Sequence, residues 1–289
     1  MNKLYWLLAV FILFSCKKKD EKVYYRQGSI KIVVDQSFHN VLEELTERYV
    51  SNYPEAKFNL DFKREDSAFV DLLEGRADVA VMSRELTTDE KKLYEKMVDL
   101  DYHSDNFAGD AVLFVVPKNS PREQISVEEI NQLLHSDEKL LIFEGYHTSN
   151  INFVAQKLRL NSKDLKYSII KGDENIIEKL DKFPNHIGVI GLNSIGRAYD
   201  PKSIALREKI KILPVVADDG QAYTPELYNI RNLKYPFARI VYFLTREKGF
   251  GLAKGFIRYS CTQKGQIVVS KQGLQPYNMY KREVRMRVE

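Results

Sequence analysis

Four short clusters of hydroxyl, acidic and basic residues stand where apolar, strand-like runs give way to helical periodicity. They are Asp35-Gln36-Ser37-Phe38, Arg64-Glu65-Asp66-Ser67, Ser83-Arg84 and His147-Thr148-Ser149-Asn150. The first turn of a helix holds backbone N–H groups with no partner inside the helix. Those groups, with nearby hydroxyls and the positive end of the helix dipole, suit an anion. Arg84 adds a fixed positive charge able to grip an oxyanion through two parallel hydrogen bonds. Ser, Thr, Asp and Asn at such places also serve as plain N-caps, so each cluster has two readings. What favours the binding reading is that all four clusters are expected to face one cleft.

Other chemistry finds little support. The chain has no GxSxG elbow, HExxH pair, phosphate-cradling glycine loop or close pair of cysteines. Its five histidines are scattered without metal-ligand spacing, so neither a metal nor another cofactor is expected. A hydrolase would need a base beside a nucleophile, and only His147 with Thr148 offers both, adjacent in sequence and poorly aimed at each other. Asp218-Asp219 before Gly220 reads as a turn. Cys261 has no partner for an internal disulfide if Cys16 is used elsewhere, and reads as a small buried residue of a helix.

The elements that must position these clusters alternate. Ile30–Val34 is β-rich, and Val41, Leu42, Leu45 and Tyr49 recur at helical spacing until Pro54. Phe58–Phe62 and Val79–Met82 are further strands, with a helix through Phe69–Leu73 capped at Gly75. The run Ala111–Val116 is apolar throughout and reads as a strand buried on both faces. A second series follows: a helix begun by Ser126 with Glu128 and Glu129 in its first turn, the strand Leu140–Phe143, helices near Ser149–Leu158 and Ile176–Leu180, and the strand Ile187–Ile190. A strand near Lys211–Val216, a strong one at Ala238–Leu244, and helices near Leu252–Tyr259 and Lys264–Ser270 complete the pattern. Such alternation implies an α/β fold with mainly parallel sheets flanked by helices. The expected organisation is lobe 1 from 28–114 plus 238–289 and lobe 2 from 115–237, with crossings near 112–117 and 235–240. The cleft between the lobes is the default site.

The N-terminus points outside the cytoplasm. Lys3 precedes an apolar run, Leu4–Phe14, too short to cross a bilayer core of ~30 Å as a helix. Ser15-Cys16 and then Lys17-Lys18-Lys19 follow it. This resembles the lipobox of bacterial lipoproteins. It implies a signal peptide at 1–15, lipidation of Cys16, a tether at 16–27, and a body held to a bacterial membrane on the periplasmic or outer side. The net charge of +4 comes from interspersed acids and bases, which does not suggest nucleic acid.

Leu72-Leu73-Glu74-Gly75-Arg76-Ala77-Asp78-Val79-Ala80-Val81-Met82-Ser83-Arg84 is similar to the "LLxGxADIAxxSR" segment of the phosphate-binding proteins of ABC uptake systems. Ala253-Lys254-Gly255-Phe256 through Lys264-Gly265-Gln266 to Gly273-Leu274-Gln275-Pro276 resembles that family's "FxxFxxSxxGQxxxxKxGxxP" ending, and Ile187–Gly191 its "AIGYV" strand. The resemblance implies a two-lobed, type II periplasmic binding protein, not an enzyme, that takes inorganic phosphate and hands it to an ABC permease. It assigns phosphate contacts to Ser37 and Phe38, to Asp66 and Ser67, to Ser83 and Arg84, and to Thr148, Ser149 and Asn150. Two positions depart from the family: the second loop lacks glycines, and Glu144 stands where many members place an arginine. A carboxylate there, or at Asp66, would accept the proton of hydrogen phosphate and repel fully ionised sulfate. Another oxyanion or small carboxylate, a sensor or interaction lipoprotein without a ligand, and a secreted hydrolase are the alternative readings.

Overall fold

The computed structural model describes residues 24–279. The stretches read from the sequence as signal peptide, lipidated Cys16 and most of the tether lie outside the described residues. At the end of the stretch read as a tether, Tyr24–Arg26 forms a short turn docked on the fold: the Tyr25 carbonyl accepts from the Tyr49 hydroxyl at 2.5 Å, and the Tyr25 ring meets Tyr53 and Phe250 edge-on.

From there β1 (Gln27–Val34), α1 (His39–Asn52), β2 (Glu55–Phe62), α2 (Glu65–Leu73) and β3 (Val79–Met82) form two βα steps. The three strands are parallel in the order β2-β1-β3. After α3 (Thr88–Val98), β4 (Asp105–Pro117) runs 13 residues with nearly every side chain buried. The second series comprises β5 (Ile125–Ser126), α4 (Val127–His135), β6 (Leu141–Phe143), α5 (Ser149–Lys157), β7 (Ser168–Ile169), α6 (Asp173–Lys179), β8 (Ile187–Gly191), α7 (Leu192–Ile195) and α8 (Pro201–Lys209). Then come β9 (Ile210–Ile212), β10 (Val215–Val216), β11 (Ala222–Tyr223), α9 (Leu227–Arg231), β12 (Ala238–Thr245), α10 (Leu252–Cys261), α11 (Gln263–Lys271) and β13 (Gln275–Pro276).

The single strand expected near Lys211–Val216 is two. Leu213 N–H reaches the Phe114 carbonyl, but Pro214 has no N–H to continue the ladder, so β9 stays on β4 while β10 pairs with β5 and β11. The helix α3 has an N-terminal signature outside the apolar runs, a capping box in which Thr87 and Glu90 satisfy each other's backbone N–H groups.

Strand β12 enters antiparallel between β3 and β4, and β6, β7 and β8 are mutually parallel beyond β4. The result is a mixed α/β architecture, in which the antiparallel pairings of β4 and β12 keep the sheet from being mainly parallel as expected, built around two large apolar cores. One holds Val34, Phe38, Leu42, Phe107, Ala108, Val241 and Phe243, and the other Ala111–Val116, Phe143, Val189 and Ala238. Strands β4 and β12 contribute to both. Between their two contributions sit Asp110 and Arg239, paired in register and fully enclosed.

Candidate functional site

The four clusters do meet, at the seam of the two cores. Asp35 leaves β1 and its carboxylate accepts from Ser37 N–H (3.0 Å) and the Ser37 hydroxyl (2.9 Å), capping the turn before α1. The same carboxylate accepts from Ser149 N–H (3.1 Å) and the Ser149 hydroxyl (3.2 Å), at the first residue of α5 on the other side. Two helix starts, 112 residues apart in sequence, thus point their donors at one group of negative charge. That group belongs to the protein.

The third cluster is arranged alike. Glu65, wholly buried, accepts from Ser83 N–H at 2.6 Å and from the Ser83 hydroxyl at 2.9 Å through one oxygen. Its other oxygen has no hydrogen-bond partner and lies 3.7 Å from Arg84 Nε. Burial pushes the Glu65 carboxyl up to about 7, against the opposing pull of Arg84 and Ser83.

Arg84 does not reach the cleft as expected. Its guanidinium is held by both oxygens of Glu90 (2.7 and 2.9 Å), with Asp66 at 3.4 Å. Asp66 is likewise turned away from a ligand position: it accepts from Asn152 Nδ2 at 3.0 Å and lies 3.6 Å from His147 Nδ1. Because His147 faces Asp66 and the Thr148 hydroxyl has no hydrogen-bond partner, the two do not form a base–nucleophile pair. Phe38 is core, its ring 4.9 Å beneath the Arg239 guanidinium, and Asn150 accepts from Arg239 through Oδ1 at 2.9 Å.

Above this seam lies a cavity of about 980 Å³. Of the expected site residues it is lined by Ser37, Ser67, Glu144 and Thr148, while Phe38, Asp66, Ser83, Arg84, Ser149 and Asn150 form the layer beneath or beside it. Glu144 has both carboxyl oxygens buried and outside close hydrogen-bond geometry; burial and then the Asp173 and Asp35 carboxylates raise it well above the ordinary carboxylic range, against the pull of the nearby Thr148 hydroxyl. Asp173 is raised as well, again chiefly by burial. Among the described residues no group of His, Cys, Asp and Glu could hold a metal ion. Cys261 closes α10, half-buried, with its thiol pushed up to about 11 by burial, so it is no reactive thiolate at neutral pH.

Sequence reasoning missed Arg239, Asp110, Asp173 and Asn193. A signal existed for the first two, since Arg239 is a lone charge in an apolar strand and Asp110 interrupts the apolar stretch of β4, and such charges must find a buried partner. Arg239 pairs with Asp110 at 2.7 Å, both side chains fully enclosed.

A family model for the PBP superfamily domain matches residues 25–264. The chain belongs to the PBP superfamily. No curated protein matches it. Among solved structures, the fold is similar to one from Clostridium perfringens described as a phosphate ABC transporter substrate-binding protein with bound phosphate. The two share 19% identity, with a TM-score of 0.68 over 86% of this chain and 99% of that one. An ABC-type phosphate transport receptor from Vibrio cholerae follows at 16% identity, TM-score 0.66, over 85% and 99% of the two chains. PstS from Borrelia burgdorferi is similar at 20% identity, TM-score 0.57, over 86% and 99%. The two-lobed superfamily fold expected from the alternation of strands and helices is therefore present, and among the described residues no helix is long and apolar enough to cross a membrane.

Proposed function

We propose that this superfamily member is an extracytoplasmic solute-binding lipoprotein, anchored through Cys16, whose two lobes close on a small oxyanion and present it to an ABC permease. Inorganic phosphate, as hydrogen phosphate, is the first candidate. The observation that carries the reading is the convergence of Ser37 and Ser149, N–H and hydroxyl alike, on the single Asp35 carboxylate at the cavity floor. A carboxylate held by helix N-termini from both sides is bound as an external oxyanion would be. The lobes are taken as 28–114 with 238–289 and 115–237, moving about the strand crossings near 112–117 and 235–240.

The acceptors around the cavity sharpen the choice among anions. Glu144 or Asp173 would accept the one proton that hydrogen phosphate brings and sulfate lacks. Calorimetric titration of the extensively dialysed protein with phosphate, then sulfate, at neutral pH tests this. Phosphate heat without sulfate heat is the expected result, and no phosphate binding overturns the phosphate reading. Labelled fatty acid incorporated into the parent but not into Cys16→Ala would support the anchor.

A second reading, that the solute is something other than inorganic phosphate, is favoured by one specific observation. Asp35 and Glu65 already occupy the donors of Ser37, Ser149 and Ser83, so a free dianion would have to displace a carboxylate and then sit among others.

A further inference from the structure

Three side chains on the cavity floor leave four acceptor oxygens without donors. Asp173 opens α6 after Gly172, whose φ of +85° turns the chain into the cavity. One Asp173 oxygen accepts from Gly191 N–H at 2.9 Å and from the Ser194 hydroxyl at 2.6 Å, and the other, Oδ1, accepts nothing. The Asn193 amide is oriented by its Nδ2 donating to the Ser37 carbonyl at 2.9 Å, so the atom left over is Oδ1, also an acceptor. Asp173 is 8% exposed and Asn193 2%, and both line the cavity. Glu144 adds two buried carboxyl oxygens with no partner. Buried polar atoms without partners are costly, and here two of the three side chains are carboxyls that repel each other and Asp35.

We propose that the Glu144–Asp173–Asn193 floor is a subsite for an ammonium group, so that the cleft takes an organic solute carrying a protonated amine. This rests on the cleft-binding reading above and names the solute class. An ammonium brings three donors and one positive charge to three acceptor side chains, two of them acidic. A phosphate ion would leave those acceptors short of donors and add charge of the wrong sign. The space agrees, since about 980 Å³ lies at the upper end of the range for organic ligands. Phe62, Tyr146 and Ile169 supply apolar wall for a carbon skeleton. The hydroxyl of Thr148, 9% exposed and beside Glu144, can serve either a donor or an acceptor on the same solute.

The test is calorimetric titration of the whole chain in detergent with a matched pair, 2-aminoethylphosphonate and ethylphosphonate, beside inorganic phosphate. The aminated member is expected to bind at least about tenfold tighter than its partner, as a charge-assisted hydrogen bond to a buried acceptor allows. Asp173→Asn and Glu144→Gln should each bring that ratio towards one. If Asp173→Asn does not fold by circular dichroism, Glu144→Gln decides alone, because the amide keeps the shape of the side chain and its place beside the Thr148 hydroxyl. Equal affinities for the pair, or a ratio unmoved by Glu144→Gln, overturns the subsite. Phosphate binding without an amine preference overturns the subsite and leaves the phosphate reading standing. An amine preference without phosphate binding does the reverse, and no binding by all three overturns both.

Discussion

Two buried polar regions lie close together in this molecule and are built on opposite terms. At the strand crossing, Arg239 donates to Asp110 through Nε and Nη2 and to Asn150 through Nη2, while its face rests on Phe38. On the cavity floor, Glu144, Asp173 and Asn193 keep oxygens with no donor. The first region pairs opposite charges, leaving only Asp110 Oδ1 and Asn150 Nδ2 without a hydrogen-bond partner, and its removal should act on folding. The second is left incomplete by the fold and invites a partner from outside. Asp35 and Glu65 stand between these extremes, since they fill donor sites that an anion could otherwise use.

Breaking the crossing should have the largest effect. Arg239→Met leaves Asp110 buried and unpaired and is expected to cost about 3–5 kcal/mol of unfolding free energy. The double variant with Asp110→Leu should recover most of that in urea titrations. A single variant with the parent's midpoint would show that the crossing is not the paired region described.

Next comes pH. Burial holds Glu65 at about 7 against an unfolded value of 4.5, so the folded state favours the protonated form. Its contribution is fully present below 4.5 and is lost as pH rises through about 7, a decline on the order of 3 kcal/mol at ~1.4 kcal/mol per unit. Glu65→Gln should flatten the stability profile over this window. An unchanged profile would place Glu65 with the fully paired groups.

Removing the internal anion should cost less. Asp35→Ala gives up charge-assisted hydrogen bonds and should destabilise by about 1.5–3 kcal/mol. At the same time it frees the Ser37 and Ser149 donors, so phosphate affinity should rise. A fall in phosphate affinity would mean that Asp35 itself serves the ligand. The smallest effect is expected on the floor, where Glu144→Gln replaces a carboxyl that burial and the Asp173 and Asp35 carboxylates already hold away from its charged form with a neutral group of the same shape. Its stability should change by less than about 1 kcal/mol, in the stabilising direction. A large loss would assign Glu144 to the framework.

Much of this was legible in the chain itself. The apolar runs at Val79–Met82 and Ala111–Val116, the helical stripe from Val41 to Tyr49 and the N-cap at Ser126 each appear where local periodicity and capping chemistry put them. Helix α3 was harder, because its buried stripe is reduced to Tyr94 and Val98 and its capping box is the stronger signal. The clusters at 35–38, 64–67 and 147–150 were visible as helix starts, 83–84 only as the end of a strand, with the helix beyond it starting at Thr88, and the four do gather at one seam.

What could not be read was who answers whom. Asp35 meets Ser149 across 114 positions, Glu65 meets Ser83 across 18, and Arg84 turns to Glu90 only six residues on. Local sequence determined the strands, the helices and the supply of unpaired N–H groups, because these depend on backbone sterics and on neighbours within a turn or two. Tertiary structure alone decided that the protein's own carboxylates fill those donors while Glu144, Asp173 and Asn193 stay open. A hydrogen bond needs its atoms within about 3 Å, and that proximity is set by the packing of the lobes and the register of β4 on β12.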